Sequence, residues 1–288
     1  SGSIKDAALN QATLTLATPG AAGSLGANKA LIIDSTILTI SITSTTSGVT
    51  DGSSTSDSSI ELTFTASDST SDFTKEDITV TNGTLSSFTG TGTSYNATFT
   101  PTATGACTID VAAATFTDVD SNDNSAASQF NWTYDNVGPT VTNVTSTIPD
   151  GAYGKPCEFQ INVAFSEVIN VTGTPQITLE TGSTDGVGNY ESGTGTNTLT
   201  FYYIVADGHT SSDLDYVDSS SLALNSGTIK DAASNDATLT LASPGAAGSL
   251  GANKALVVDT TPPTITITST TTGVSDNSMT SDTTIALS

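Results

Sequence analysis

Apolar and polar residues alternate along nearly every segment of this chain. Ile60, Leu62 and Phe64 are separated by single polar residues, and residues 130–134 repeat the pattern with aromatic side chains. A period of two residues is typical of a strand that buries one face. Clusters of Gly, Asn, Asp and Ser interrupt the pattern at short intervals, as turns do. The sequence therefore predicts an all-β fold of β-sandwich domains, with a β-barrel as the lesser alternative.

A long internal repeat organises the chain. Residues 1–63 and 226–288 are identical at 45 of 63 positions, at an offset of 225 residues. A period of this length is too long for one unit of a solenoid. It favours two different domains that alternate along an array. We therefore expect the parent polypeptide to continue in register on both sides, with residue 1 equivalent to residue 226.

A recurring junction predicts the domain boundaries. Asp34, Asp135 and Asp259 each end an apolar run and are followed by a few small residues, then by a new Thr/Val-rich strand. Proline stiffens two of these short linkers. We predict four parts: the end of one domain (1–34), a complete domain (35–135), a longer complete domain (136–259) and the start of the next copy (260–288).

Several motifs resemble bacterial immunoglobulin-like repeats. They are the junction Asp-Thr-Thr-Pro-Pro-Thr at residue 259, Val-Ala-Phe-Ser-Glu at 163, Ser-Asp-Leu-Asp-Tyr at 212 and Ile-Lys-Asp-Ala-Ala-Ser-Asn at 229. Residues 76–101 resemble a companion type of the same superfamily. Ser234 replaces the glycine that is usual in the Asp-Ala-Ala-Gly-Asn turn. The resemblance implies tandem immunoglobulin-like β-sandwich domains in an elongated array. It also implies an extracellular or cell-surface location, because such repeats build the stalks of giant bacterial adhesins.

The charge balance excludes one class of partner. The chain carries 29 acidic side chains, six lysines and no arginine, for a formal net charge of −23. Such a surface repels phosphate, which argues against nucleic-acid binding. The longest apolar runs, such as residues 255–258, are too short to span a bilayer. The expected partners are neighbouring repeats of the same long chain and, in a filament, other copies of it.

The sequence also argues against catalysis. Its one histidine, His209, lies in the polar loop Asp-Gly-His-Thr-Ser, where we expect it to be exposed to solvent. The sequence contains no GxSxG or HExxH motif and no glycine loop of the phosphate-binding type. We therefore predict that the protein is not an enzyme.

The carboxylates carry the most informative chemistry. In an immunoglobulin-like sandwich the incoming N-terminus, the BC loop and the FG loop gather at one pole. Oxygen ligands on short loops suit Ca²⁺, which takes six to eight of them. The alternative is that these residues only cap turns and keep the chain soluble. The predicted calcium ligands are Asp34, Asp68, Asp118, Asp120 and Asp123 in the first domain and Asp135, Glu167, Asp231 and Asp236 in the second.

These patterns predict a structural role. The nearly unchanged repetition of residues 1–63 favours a spacer, namely an adhesin stalk or a filament whose joints are stiffened by calcium. Two alternatives stay open. One is a glycan- or protein-binding module, which would more often be a single divergent unit. The other is a laterally assembled cell-surface sheath, which the sequence does not separate from a stalk.

Overall fold

The computed structural model describes residues 3–29, 35–277, 279 and 284–288. It divides the chain into two compact units, one formed by residues 1–53 and 58–133 and the other by residues 54–57 and 134–288. The described elements are strands, apart from two four-residue helices and one 3₁₀ turn at Lys75–Asp77. The predicted all-β sandwich fold is confirmed. The tandem array and the boundaries at residues 34, 135 and 259 stay predictions.

Among its described residues, the first half of the chain contains helix α1 (Leu25–Asn28) and seven strands. The strands are β1 (Ile40–Ser44), β2 (Ser54–Thr55), β3 (Ile60–Thr70), β4 (Ile78–Thr81), β5 (Gly83–Pro101), β6 (Gly105–Val111) and β7 (Phe130–Tyr134). They form a three-stranded sheet of order β1-β3-β5 and a four-stranded sheet of order β2-β7-β6-β4.

The core of the first unit consists of the side chains that alternate in the sequence. Ile60, Leu62 and Phe64 of β3 are buried, and their polar neighbours face outward. Trp132 of β7 is 2% exposed and packs edge-on against Phe99 of β5, with ring centroids 4.7 Å apart. These two rings belong to different sheets. Burial of the alternating side chains therefore holds the two layers together.

The described part of the second half of the chain contains ten strands and helix α2 (Leu250–Asn253). The strands are β8 (Val141–Ser146), β9 (Gly151–Tyr153), β10 (Glu158–Thr172), β11 (Gln176–Leu179), β12 (Gly186–Ser192), β13 (Thr196–Ile204), β14 (Thr210–Ser211), β15 (Leu222–Ala223), β16 (Thr228–Lys230) and β17 (Leu256–Asp259).

A seven-stranded sheet dominates the second unit. Its order is β15-β11-β12-β13-β10-β16, with β8 also paired to β10. A smaller sheet has the order β14-β17-β9, in which β17 and β9 run parallel. The central strands β10 and β13 bury Phe159, Ile161, Phe201 and Tyr203, and helix α2 adds Leu250 to the same core. Helix α2 thus contributes to the same core as the strands of the large sheet.

The expectation of an exposed His209 is wrong. The side chain is 7% exposed and stacks on Tyr203, with ring centroids 5.8 Å apart. Its Nδ1 lies 2.7 Å from the Tyr203 hydroxyl and also accepts a hydrogen bond from the backbone N–H of Ala206. A buried tyrosine hydroxyl needs a polar partner, and the histidine supplies it.

Candidate metal centre

Three of the predicted ligands converge in the second unit. Asp135, Glu167 and Asp231 each offer a carboxylate oxygen, and the three oxygens lie within 4.8 Å of one another. Asp231 is buried and the other two are half-buried. In the part of the chain that the structure describes, no other group of three His, Cys, Asp or Glu side chains is this close. We call these three residues the carboxylate cluster.

An irregularity in β10 positions Glu167. The pairing of β10 with β13 is regular as far as Ala164 and resumes at Ile169, so residues 165–168 leave the ladder. On its other edge β10 pairs antiparallel with β16, where Asn170 faces Lys230. Asp231 follows Lys230 directly, and this antiparallel register brings it beside the bulged stretch. Bulges of this kind redirect a side chain. Here the Glu167 carboxylate lies near Asp231 in the loop after β16.

A hydrogen-bonded turn fixes Asp231. Its Oδ1 accepts the backbone N–H of Asn235 at 2.8 Å, and its Oδ2 accepts the side-chain amide of the same residue at 2.8 Å. Such aspartate turns organise loops without any metal. Both carboxylate oxygens nevertheless keep free lone pairs. The turn therefore holds the Asp231 carboxylate in a fixed position, with lone pairs that can still accept a ligand bond.

The linker that carries Asp135 is bound to the same loop. The side-chain amide of Asn235 donates to the Asp135 carbonyl at 2.9 Å, and the N–H of Thr238 donates to the Pro139 carbonyl at 2.8 Å. Gly138 lies so close that an added Cβ would be 2.3 Å from the Asp236 carbonyl oxygen. Only glycine fits this approach, so the motif Asn-Val-Gly-Pro seats the linker against the loop.

The cluster concentrates negative charge without a counter-charge from the protein. None of the ion pairs among the described residues includes a cluster carboxylate, and Lys230 pairs with Asp236 at 2.7 Å instead. Burial, followed by the negative charges of Asp231 and Asp135, raises the pKa of Glu167 above its ordinary value. The metal-free protein therefore disfavours the ionised form of Glu167.

Glu167→Gln is expected to raise the melting temperature in calcium-free buffer at pH 7. Because the pKa of Glu167 is raised by folding, its protonated form stabilises the native state below the ordinary glutamate pKa. This contribution is lost as the pH rises through the folded value. The gain from the substitution should thus shrink to nothing near pH 4. Melting curves across this range test it, with the exposed Glu191→Gln as the control; an equal gain at all pH values would contradict the proposed repulsion.

The first unit repeats the framework of this site. Thr39 N–H donates to the Ser67 hydroxyl at 2.9 Å, as Thr140 N–H donates to the Ser166 hydroxyl at 3.0 Å. Asp68 follows Ser67 as Glu167 follows Ser166. The Ser125 N–H donates to the Leu38 carbonyl at 2.8 Å, as Thr238 donates to Pro139. The two units thus hold an acid at the same place within equivalent strands, β3 and β10.

Asp231, the aspartate of the loop after β16, also has a counterpart in the first unit. Asp118 accepts the backbone N–H and the side-chain amide of Asn122, at 2.8 and 2.9 Å, as Asp231 does from Asn235. These hydrogen bonds, the side-chain amide first, lower the pKa of Asp118. The third predicted acid of this site, Asp34, lies outside the described residues. The structure therefore describes two of these three acids, Asp68 and Asp118, which are predicted ligands in the first domain.

Of the other predicted ligands, Asp236 lies outside the cluster, and Asp120 and Asp123 belong to the first unit. Asp120 and Asp123 are exposed, and Asp236 is exposed and paired with Lys230. Neighbouring positions in a tight turn direct their side chains differently, so Asp236 does not join Asp231 in the carboxylate cluster. The metal-ligand assignment of all nine residues stays a prediction.

The sequence comparison addresses the family. Residues 17–134 match the family model of the bacterial Ig-like domain. This confirms the predicted resemblance to bacterial Ig-like domains for this segment of the chain. The matched segment contains Asp68 and Asp118, whereas the carboxylate cluster begins one residue beyond it. No curated protein matches the chain.

The match to the bacterial Ig-like domain indicates a general class of function. This family is structural and non-catalytic, and its members are typically surface or extracellular domains. Within the described residues, no helix is long and apolar enough to cross a membrane.

Sequence reasoning missed two residues that build the site. Asn235 ties the loop to both Asp231 and Asp135, and Gly138 permits the close approach of the linker. A weak signal for the first was present, because an aspartate followed four residues later by asparagine occurs at Asp6, Asp118 and Asp231, and also at Asp120 and Asp185. The second had no such signal, since glycine is common throughout the chain.

Proposed function

We propose that this chain is part of a non-catalytic, extracellular bacterial stalk or filament whose joints are stiffened by calcium. The observation that carries the proposal is the carboxylate cluster. It joins the linker residue Asp135 to the loop residue Asp231 and to Glu167 within one small volume. Asp135 lies two positions after Thr133, the last residue of the first unit. A cation held there would restrain the point where the chain enters the second unit.

The donor set fits a hard divalent cation. All three side chains offer oxygen, the ligand type that Ca²⁺ and Mg²⁺ prefer, and none offers nitrogen or sulfur. Ca²⁺ tolerates irregular coordination and takes six to eight oxygens, which carboxylates, nearby carbonyls and water can supply together. Mg²⁺ demands a regular octahedron. Three carboxylates on a linker, a bulge and a turn therefore favour Ca²⁺.

Bound calcium would remove the repulsion that the metal-free cluster contains. The raised pKa of Glu167 reflects that repulsion. A cation neutralises the cluster and connects the linker to the body of the sandwich. The repeated framework around Asp68 and Asp118 supports the same role at the preceding junction. An array of such junctions would span distance without catalysis, which agrees with the non-catalytic character of bacterial Ig-like domains.

Calcium is expected to raise the melting temperature and the maximum dimension of the protein. At free calcium a hundredfold above its dissociation constant, the stabilisation amounts to about 2.7 kcal/mol. Asp231→Asn should abolish this gain while it keeps an acceptor for the Asn235 turn. Calorimetry and small-angle scattering, each with calcium and with chelator, measure the two effects.

The exposed Asp185 provides the matched control, since Asp185→Asn removes one charge away from the cluster. This variant should respond to calcium as the wild type does. If the chelator changes neither the melting temperature nor the maximum dimension, the acids serve only as turn formers and solubilisers. Stiffness would then have to come from the linker prolines and packing.

A further inference from the structure

The loop at residues 205–209 joins β13 to β14 and binds the linker that leaves the second unit. Gly208 N–H donates to the Thr260 hydroxyl at 3.1 Å, and that hydroxyl donates to the His209 carbonyl at 3.0 Å. Directly after the loop, Thr210 of β14 pairs with Asp259, the last residue of β17. We call the two hydrogen bonds to Thr260 the exit clamp. They fix the linker to the sandwich at the residue that follows its last strand.

The buried imidazole of His209 holds this loop in its conformation. Its Nδ1 lies 2.7 Å from the Tyr203 hydroxyl and accepts the backbone N–H of Ala206 at 3.3 Å. The backbone N–H of His209 donates in turn to the Ala206 carbonyl at 3.2 Å. The ring therefore connects β13 to both ends of the turn whose backbone forms the exit clamp.

These hydrogen bonds determine which ring nitrogen carries the proton. Because Nδ1 accepts the Ala206 N–H, the proton of the neutral imidazole is on Nε2. A second proton can therefore bind only at Nδ1. There the new N–H would oppose the Ala206 N–H, and a buried donor would lose its acceptor, which is unfavourable. The loop thus fits the neutral ring and does not fit the imidazolium.

The groups around His209 offer little compensation for a charge on the ring. Burial raises the pKa of Tyr203 to about 12, so its hydroxyl stays neutral. Asp207 pairs with Lys155, and the carboxylates of Glu180 and Asp259 accept the backbone N–H of Gly182 and of Thr261. All charged residues on the surrounding elements are exposed, so solvent screens them. They are Asp207 in the same loop, Lys155 before β10, Glu180 and Asp185 between β11 and β12, Asp213 after β14 and Asp259 of β17.

We propose that His209 is a pH-sensitive switch on the exit linker, in which the neutral imidazole keeps the exit clamp closed and protonation at Nδ1 opens it. Histidine is the side chain whose charge ordinarily changes between about pH 5 and 8. When Nδ1 binds a proton, the Ala206 N–H loses its acceptor and the loop shifts. Gly208 and His209 then move away from Thr260. Mild acid thus frees the linker where it leaves the second unit, which extends the proposed control of joints to a site that needs no calcium.

NMR spectroscopy of the full chain in chelator tests the switch without any variant. Because calcium is absent, the result does not depend on whether the carboxylate cluster binds a metal. At about pH 8 the nitrogen chemical shifts of the ring should identify the Nε2–H tautomer. As the pH is lowered to about 5, the protonation of His209 and the loss of order at the Thr260 amide should follow one titration curve. An Nδ1–H tautomer would overturn the proposal, as would a Thr260 amide that stays ordered while the ring titrates or a ring that stays neutral until the protein unfolds.

Two variants separate the switch from other effects of acid. His209→Gln lacks the titrating ring, so the order of its Thr260 amide should not change with pH. Thr260→Val keeps the ring but lacks the clamp hydroxyl, so its linker should be disordered at both pH values while His209 still titrates. Between these pH values the melting temperature of the wild type should fall by about 2–4 °C more than that of His209→Gln, the shift expected for one lost hydrogen bond in a unit of this size. The same pH response in the wild type and in His209→Gln would show that other groups cause it and would overturn the proposal.

Discussion

Leu250→Ala is expected to lower the free energy of unfolding of the second unit by about 2–5 kcal/mol, the range for a buried leucine truncated to alanine. Leu25→Ala, the same change in the same four-residue helix, is expected to change stability by less than about 0.5 kcal/mol. Leu250 is fully buried and Leu25 is 69% exposed. Comparing the two variants therefore separates the stabilisation that comes from core packing from the stabilisation that comes from the helix itself.

The effects of helix propensity and helix capping on stability are nearly the same for the two substitutions, so they cancel in the comparison. Both leucines are the first residue of a helix with the sequence Leu-Gly-Ala-Asn, and both helices have a serine cap. Alanine has a slightly better helix propensity than leucine at either place. What differs is the cavity that Leu250→Ala leaves among the side chains of the core, such as Leu241 and Leu256.

Denaturant unfolding of the two variants measures the effect, with intrinsic tryptophan fluorescence and circular dichroism followed together. Trp132 is the one tryptophan of the chain and belongs to the first unit, so circular dichroism is needed to report the second. Equal loss of stability in both variants would mean that residues 3–29 are packed within the chain itself. That result would also contradict the exposed state of the first copy.

The strand pattern could be predicted from the sequence because it depends on local alternation. Ile60, Leu62 and Phe64 are buried as their period of two residues predicts, and Trp132 lies in the core. The convergence of Asp135, Glu167 and Asp231 could also be anticipated. In an Ig-like sandwich the topology alone brings the linker and these two loops to one pole.

Features that depend on tertiary contacts could not be predicted. The polar loop around His209 gave no indication that the hydroxyl of Tyr203 would need a buried partner. The two copies of the repeat have nearly the same sequence, so no local pattern could distinguish the exposed Leu25 from the buried Leu250. The ion pair between Lys230 and Asp236 likewise had no indication in the local sequence.

Gly138→Ala is expected to destabilise the second unit by about 1–3 kcal/mol, the usual range for inserting a methyl group into a close-packed contact. Its Cβ would lie 2.3 Å from the Asp236 carbonyl oxygen, which is backbone and cannot rotate away. Either the linker or the loop must move. The hydrogen bonds from Asn235 to Asp135 and from Thr238 to Pro139 cross the same contact, so they should be weakened together.

The same substitution should also weaken the response to calcium. Gly138 is not a predicted ligand, but moving the linker at Gly138 would also move Asp135 relative to Asp231. Melting in chelator reports the packing cost, and the added stability at saturating calcium reports the geometry of the cluster. Gly26→Ala is the control, because its nearest contact is 4.0 Å away and it should melt as the wild type does. A Gly138→Ala protein that keeps both its stability and its calcium response would show that the linker need not lie against the loop. A protein that loses stability but keeps the full response would place the cation elsewhere than at Asp135.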